Sequence, residues 1–306
     1  AVKGPYVLNI NNTTATGFKV SETTGESLFN IKSEPEKVTI YVNGLKWSKD
    51  GYTDENGDES FQATTNEDFE AAIAEISADE TGTISLYAGE YKFPASKLHK
   101  GITVNCAEGT VFTGSSSLNA NGATIIGAAF ENEVGTAATG TVNGTYKDCV
   151  FDGSNGLRWC YAGETAVFEN CVFSGDVYGA HFDAGANDVI FRNCTFSGFN
   201  TFGSAITLLT LDNCTFVANG RSGYNGVNLW GNTKLIGCEF TFDGSVTEWV
   251  DVCDSGYSYE VDGCTINGEP FKLNDLGIYG DCDVTYNGAY YAYASTAANL
   301  EKYINE

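Results

Sequence analysis

Three features of the sequence predict an all-β chain wound as a right-handed parallel β-helix. A phrase recurs at a near-constant period, its apolar and turn positions keep a fixed order, and a glycine soon follows it. The phrase reads Asp148-Cys149-Val150-Phe151, then Asn170-Cys171-Val172-Phe173, Asn193-Cys194-Thr195-Phe196, Asn213-Cys214-Thr215-Phe216, Gly237-Cys238-Glu239-Phe240 and Gly263-Cys264-Thr265-Ile266. The cysteines are spaced by 22, 23, 20, 24 and 26 residues, so one unit is about 22 residues long. Two weaker copies, Gly127-Ala128-Ala129-Phe130 and Asn105-Cys106, lie upstream. A short fixed period means that each unit stacks on its neighbours.

Within a unit the cysteine and the residue two places on share parity, so both point inward from a strand. Three places before the cysteine stand Thr103, Ile125, Tyr146, Phe168, Phe191, Leu211, Leu235 and Val261, all apolar but the first. Directly before it the phrase uses only Asp, Asn or Gly, residues that tolerate a left-handed backbone, so a tight bend belongs there. The glycines Gly153, Gly175, Gly198, Gly220, Gly244 and Gly268 mark a second corner. Strand, bend, strand, corner and strand make one coil. A helical repeat would need a 3.6-residue apolar period, and a leucine-rich repeat its own Leu and Asn spacing; neither is present.

The division expected is a small β domain over 1–66, the β-helix over 67–290 and a C-terminal cap or tail over 291–306. Thr65 and Asp68 fit a helix-capping pair, and Phe69, Ala72, Ile73 and Ile76 follow at helical spacing. That short helix should close the N-terminal end of the stack, where strand edges and core would otherwise be bare. In the first domain Val38-Thr39-Ile40-Tyr41-Val42 alternates as a strand and runs into Asn43-Gly44, a hairpin signal. At the other end Ala298, Leu300 and Ile304 follow a helix-like pattern over 295–304.

The net charge is −24, and residues 1–66 hold 6 Lys+Arg against 9 Asp+Glu, so the remainder carries most of the excess. Such a surface repels phosphate backbones, which excludes nucleic acid as a main partner. Its acidic loops suit a soluble, salt-tolerant surface, with Ca²⁺ sites as the sharper alternative. No apolar run is long enough to span a membrane, and no secretory signal is visible. The Ala-Val-Lys start suits a cytosolic product that has lost its initiator Met, or a trimmed start.

Ten cysteines raise disulfides or a metal. Six of them stacked in line cannot offer zinc a tetrahedral thiolate set; disulfides between neighbouring rungs would need the side chains to turn towards each other, and the leading reading is buried, reduced thiols serving as small hydrophobes. That reading implies assembly in a reducing compartment. Cys160, Cys253 and Cys282 lie off the ladder. The Asn-Cys-Thr sequons at Asn193 and Asn213 are read as stacked bend asparagines rather than glycan sites.

The repeat, together with Ile84-Ser85-Leu86-Tyr87-Ala88-Gly89-Glu90-Tyr91, resembles the pectate-lyase-like β-helix superfamily as found in tailed-phage spike and decoration proteins. The stretch Tyr41-Val42-Asn43-Gly44 through Asp50-Gly51-Tyr52-Thr53 resembles a hairpin of phage tail-fibre and other virion-attached proteins. The resemblance implies a virion surface structural protein of a tailed bacteriophage, a capsid decoration (cement) protein or a short spike, made in the host cytoplasm. It implies attachment to the major capsid or another virion protein through residues 1–66, a homotrimer, and cell-surface polysaccharide as a ligand. Lyases, hydrolases and adhesins share the fold. The alternatives are therefore a polysaccharide lyase or glycoside hydrolase, and an extracellular or cell-surface adhesin or carbohydrate-binding module.

An enzyme would need converging acids, roughly 5–10 Å apart in glycosidases. The residues to test are Asp183, His181, Arg158 and Asp254. Aligned on the glycines that follow, Asp183 matches Tyr161 and Asp254, yet three coils separate the two acids, about 14 Å. His181 follows Gly179-Ala180 but lacks the second glycine of the polygalacturonase Gly-His-Gly, and the Asp pair and Arg-x-Lys of that family are missing. Tyr224, Trp230, Trp249 and Tyr257 are candidates for a sugar-stacking strip or, more simply, corner packing.

Overall fold

A computed structural model describes residues 59–183, 187–203, 206–218, 226–242 and 250–294, with further strands at Asn9–Ile10, Ile40–Val42, Leu45–Ser48, Gly51–Thr53 and Glu301–Ile304. The chain is an all-β solenoid whose strands pair in parallel with their counterparts one coil away, and its one α-helix among the described residues is Asn66–Glu75. Three parallel sheets run along the axis, and the register of each explains a column of residue types.

In the first sheet Ile84, Val104, Ile125, Tyr146, Phe168, Phe191, Leu211, Leu235 and Val261 follow one another in register. In the second the inward column is Tyr91, Phe112, Phe130, Phe151, Phe173, Phe196, Phe216, Phe240 and Ile266. Its rings stack almost flat: Phe151 and Phe173 lie 4.9 Å apart at 5°, and Phe196 and Phe216 4.7 Å apart at 7°. The stacking distance matches the spacing of neighbouring strands, so one aromatic per coil fills the core without a gap. Each such pair adds about 0.5–1.5 kcal/mol to the burial of the rings.

The bends stand where the residue types demand. Asp148, Asn170, Asn193 and Asn213 have φ of 53°, 54°, 52° and 52°, and Gly237 and Gly263 continue the series at 59° and 61°. The left-handed turn aims the next residue, the ladder cysteine, back into the core. Cys149, Cys171, Cys194, Cys214, Cys238 and Cys264 are all buried, and all ten cysteines are free thiols. Each ladder thiol donates to a carbonyl one coil back, as from Cys171 to Tyr146 at 3.4 Å and from Cys238 to Leu211 at 3.2 Å. Of the bend side chains, Asn170 donates to Asp148 Oδ1 one coil below at 3.0 Å, whereas Asn213 bonds its own neighbour Asp212.

The N-terminal end is closed as its sequence pattern implies. Thr65 caps the helix by accepting from the Asp68 amide at 3.1 Å, and Phe69, Ala72, Ile73 and Ile76 are buried against the first coil. Phe69 meets Tyr91 and Phe112, each at 6.4 Å between ring centres. Strand Glu59–Ala63 pairs in parallel with Gly82–Leu86 and so forms the first rung of the sheet.

The structure differs from the sequence reading at two ends of the repeat. Val104, not Thr103, is in register with Ile125, so Cys106 falls beside Gly127 at the bend and not on the ladder. The coil is shorter there, because Ile84 and Val104 are already one rung apart. At the C-terminus Glu301–Ile304 is a strand, antiparallel to Ala289–Ala294, and not helical; the open backbone of that edge outweighs the local apolar spacing. Ala298 and Leu300 lie outside the described residues, as does Asn43-Gly44, although the flanking strands pair with Val42 opposite Leu45.

Candidate functional site

The third sheet carries the chemistry. Its inward column is Cys160, Phe182, Phe202, Leu229, Val252 and Ile278, all buried. Alternation along each strand therefore turns His181, Thr201, Asn228 and Asp251 to the outer face, in register on successive coils. The residues one place after the inward column form an edge: Tyr161, Asp183, Gly203, Trp230, Cys253 and Tyr279. The amides of Asp183, Gly203, Trp230, Cys253 and Tyr279 each donate to the carbonyl of the inward residue one coil back. From Tyr161 to Tyr279 that edge runs five coil steps, about 24 Å at the strand spacing.

A bulge starts the strip. Ala138 faces Leu157 and Gly140 faces Cys160, so Arg158 and Trp159 oppose the single residue Thr139. Trp159 takes a left-handed φ of 55°, and the residue stands 53% exposed. A bulky residue there is a true outlier, a kind of strain that clusters at functional sites. Around it the side chains converge: Trp159 lies 4.6 Å from the His181 ring, and His181 stacks on Tyr178 at 5.0 Å. The Arg158 guanidinium sits 5.6 Å from the Trp159 ring centre and 5.7 Å from that of Tyr178. Such cation–π contacts hold a charged group without neutralising it.

Burial depresses the pKa of His181, the nearby Asp183 carboxylate opposes that, and Arg158 adds to the depression. His181 Nδ1, Arg158 Nε and Asn228 Oδ1 are buried atoms without hydrogen-bond partners. Further along, Trp230 donates its indole N–H to Thr201 Oγ1 at 3.1 Å, which holds the exposed ring on the edge. Asp251 is buried at 4% exposure, and Gly277 makes its room: a Cβ there would come 2.2 Å from Asp251 Oδ1. Burial and the Asp251 charge push the Cys253 thiol up to about 12.

Of the four residues singled out in the sequence, Arg158, His181 and Asp183 come together and Asp254 does not. The position in register with Asp183 three coils on is Cys253, one residue before the Asp254 that the glycine alignment places there. Asp254 instead accepts from the Ser255 amide at 2.9 Å. Asp183 is thus separated by three coils from both Asp251 and Asp254, too far for a shared proton or a nucleophile–acid pair. The other histidine, His99, is structural: Nε2 meets the Ile76 carbonyl at 3.1 Å and Nδ1 accepts from the Gly101 amide at 3.3 Å.

Of the aromatics considered for a strip, Trp230 stands on the edge, Tyr257 packs on the core of the first sheet, and Tyr224 and Trp249 lie outside the described residues. Trp159, Tyr161, Tyr178 and Tyr279 were legible only as scattered aromatics, since their alignment depends on the bulge and on register. Among the described residues no three His, Cys, Asp or Glu side chains converge as a metal-binding set, and no helix is long and apolar enough to cross a membrane.

No protein-family model matches the chain, and no curated protein or solved structure matches it either. The fold thus defines the class: a parallel β-solenoid with an aromatic and polar strip along one sheet.

Proposed function

We propose that the chain is a structural surface protein of a tailed-phage virion, a capsid decoration protein or short spike, whose solenoid displays a glycan-binding strip. The observation that carries the binding role is the exposed edge of Tyr161, Trp230 and Tyr279 beside the Trp159–His181–Tyr178 group. Flat rings at whole-coil intervals suit an extended polymer lying along the axis, because sugar rings stack on aromatic faces. The dispersal of Asp183, Asp251 and Asp254 over three coils favours binding over cleavage.

The virion setting is supported by the hairpin pairing of Ile40–Val42 with Leu45–Ser48 and by the file of free, buried thiols. Within residues 1–66, the part ahead of the first rung at Glu59–Ala63 would be the attachment module to the capsid or another virion protein, with a homotrimer as the assembly. A second reading, a polysaccharide lyase or hydrolase, draws on the grouping of Arg158, His181 and Asp183. An adhesin or carbohydrate-binding module would share the strip but not the virion.

The test pairs two measurements on the full chain. Incubation with surface polysaccharides should give retention without new reducing ends or unsaturated products. Light scattering should give a mass near three times 32.7 kDa. Cleavage abolished by Asp183→Ala would establish the enzyme instead, and a monomer without polysaccharide retention would sink the spike reading.

A further inference from the structure

We infer that Arg158 forms a subsite for a carboxylate borne by the glycan, so that the strip selects acidic sugars; this rests on the glycan-binding reading above. The chain holds 40 Asp and Glu against 16 Lys and Arg, yet among the described residues no acid pairs with Arg158. Four basic residues in the solenoid sequence do find acids, among them Lys147 and Arg192, which both bind Glu169 at 2.8 and 3.1 Å, and Lys234, which binds Glu260 at 2.9 Å; Lys92, Lys100 and Lys272, like Arg158, form no ion pair among the described residues.

Arg158 is withheld from such a partner by its surroundings. The bulge lifts it onto the outer face, and the rings of Trp159 and Tyr178 flank its guanidinium. Its Nε is buried without a hydrogen-bond partner, and so is His181 Nδ1 beside it. The buried Nε lies out of a ligand's reach, so a carboxylate would meet the outward Nη groups end-on, with paired charge-assisted hydrogen bonds. The fork of a guanidinium matches that planar geometry, which a lysine ammonium cannot. A sugar carboxylate would meet Arg158 while its ring packs on Trp159, the exposed aromatic of the group.

The acidic body of the protein does not forbid this. Its field is screened beyond about 8 Å at physiological ionic strength, whereas the contact with Arg158 is direct. Polymers with widely spaced carboxylates fit better than a polyanion, since a dense charge row would also lie over Asp183 and Asp251.

The experiment is calorimetric titration of the full chain with glucuronate-, galacturonate- and sialate-bearing oligosaccharides, each paired with its carboxyl-reduced form. The wild type should favour one acidic member over its reduced twin by about tenfold or more. Arg158→Ala should bind the acidic form no better than its reduced twin, and Arg158→Lys should restore only part of the preference. A wild type that binds acidic and reduced forms equally, or an Arg158→Ala protein that keeps the preference, would overturn the subsite while the strip survives. Failure of every oligosaccharide to bind would overturn strip and subsite together. Thermal melts of both variants, matched to the wild type, separate lost recognition from lost folding.

Discussion

Trp159 and His181 stand on adjacent coils with ring centres 4.6 Å apart, and the contact exists because Trp159 accepts a left-handed backbone. The conformation costs a non-glycine residue roughly 1–2 kcal/mol. Trp159→Gly should therefore relieve strain while adding chain entropy to the unfolded state, leaving stability within about 1 kcal/mol of the wild type. Glycan retention should nevertheless drop sharply. A melt and a binding titration on the same preparation check both halves, and a glycine variant that binds normally would remove Trp159 from the strip.

The bends make a second, purely structural prediction. Asn170 has φ 54° and donates to Asp148 Oδ1 at 3.0 Å. Asn170→Ala should cost about 1–2 kcal/mol, because the Cβ is disfavoured in that region and the hydrogen bond is lost. Asn170→Gly should cost less, since it keeps the backbone freedom and loses only the bond. Chemical denaturation of the two variants would show the order, and an alanine variant as stable as the glycine one would refute it.

The thiols should be inert until the solenoid opens. Burial pushes Cys160 up to about 12 and Cys171 well above the ordinary thiol range; hydrogen bonds from Cys171 and Cys214 pull Cys194 down, so its inertness rests on its burial in the core. A thiol reagent at mildly alkaline pH should modify the folded protein slowly, starting with the partly exposed Cys106 and Cys253, and reach all ten cysteines only in denaturant. Rapid labelling of Cys194 or Cys214 in the folded state would contradict the packing.

Stability should fall as pH drops through the histidine range. The pKa of His181 is lowered from 6.5, chiefly by burial, so the unfolded chain binds a proton there more readily than the folded one. The contribution is fully present above the unfolded pKa and is lost as pH falls below it toward the folded value. His181→Asn should flatten stability between pH 7 and pH 5 relative to the wild type. Identical pH profiles would mean that His181 protonates freely in the fold.

How far the sequence disclosed this arrangement varies by element. The bends at Asp148, Asn170, Asn193 and Asn213 were readable because only a few residue types accept positive φ. The Phe column and the thiol ladder followed from parity within a strand. The bulge at Arg158 and Trp159 was not readable, because two residues opposing one leaves no mark in composition. The glycine alignment of Asp183 with Asp254 is off by one position for a related reason: spacing to a glycine does not fix strand register, which places Cys253 there. The strip thus emerged only when register aligned Tyr161, Trp230 and Tyr279 along one edge.

The most direct test of the strip is the dependence of affinity on oligosaccharide length, measured by calorimetry with fragments of one polysaccharide that the protein retains. If the polymer lies along the edge from Tyr161 to Tyr279, affinity should climb with each added sugar until the fragment spans about 24 Å and then level off. Trp230→Ala should cap the rise early, at fragments that reach only the Trp159 end. Affinity independent of length beyond one or two sugars, or a rise untouched by Trp230→Ala, would contradict the account.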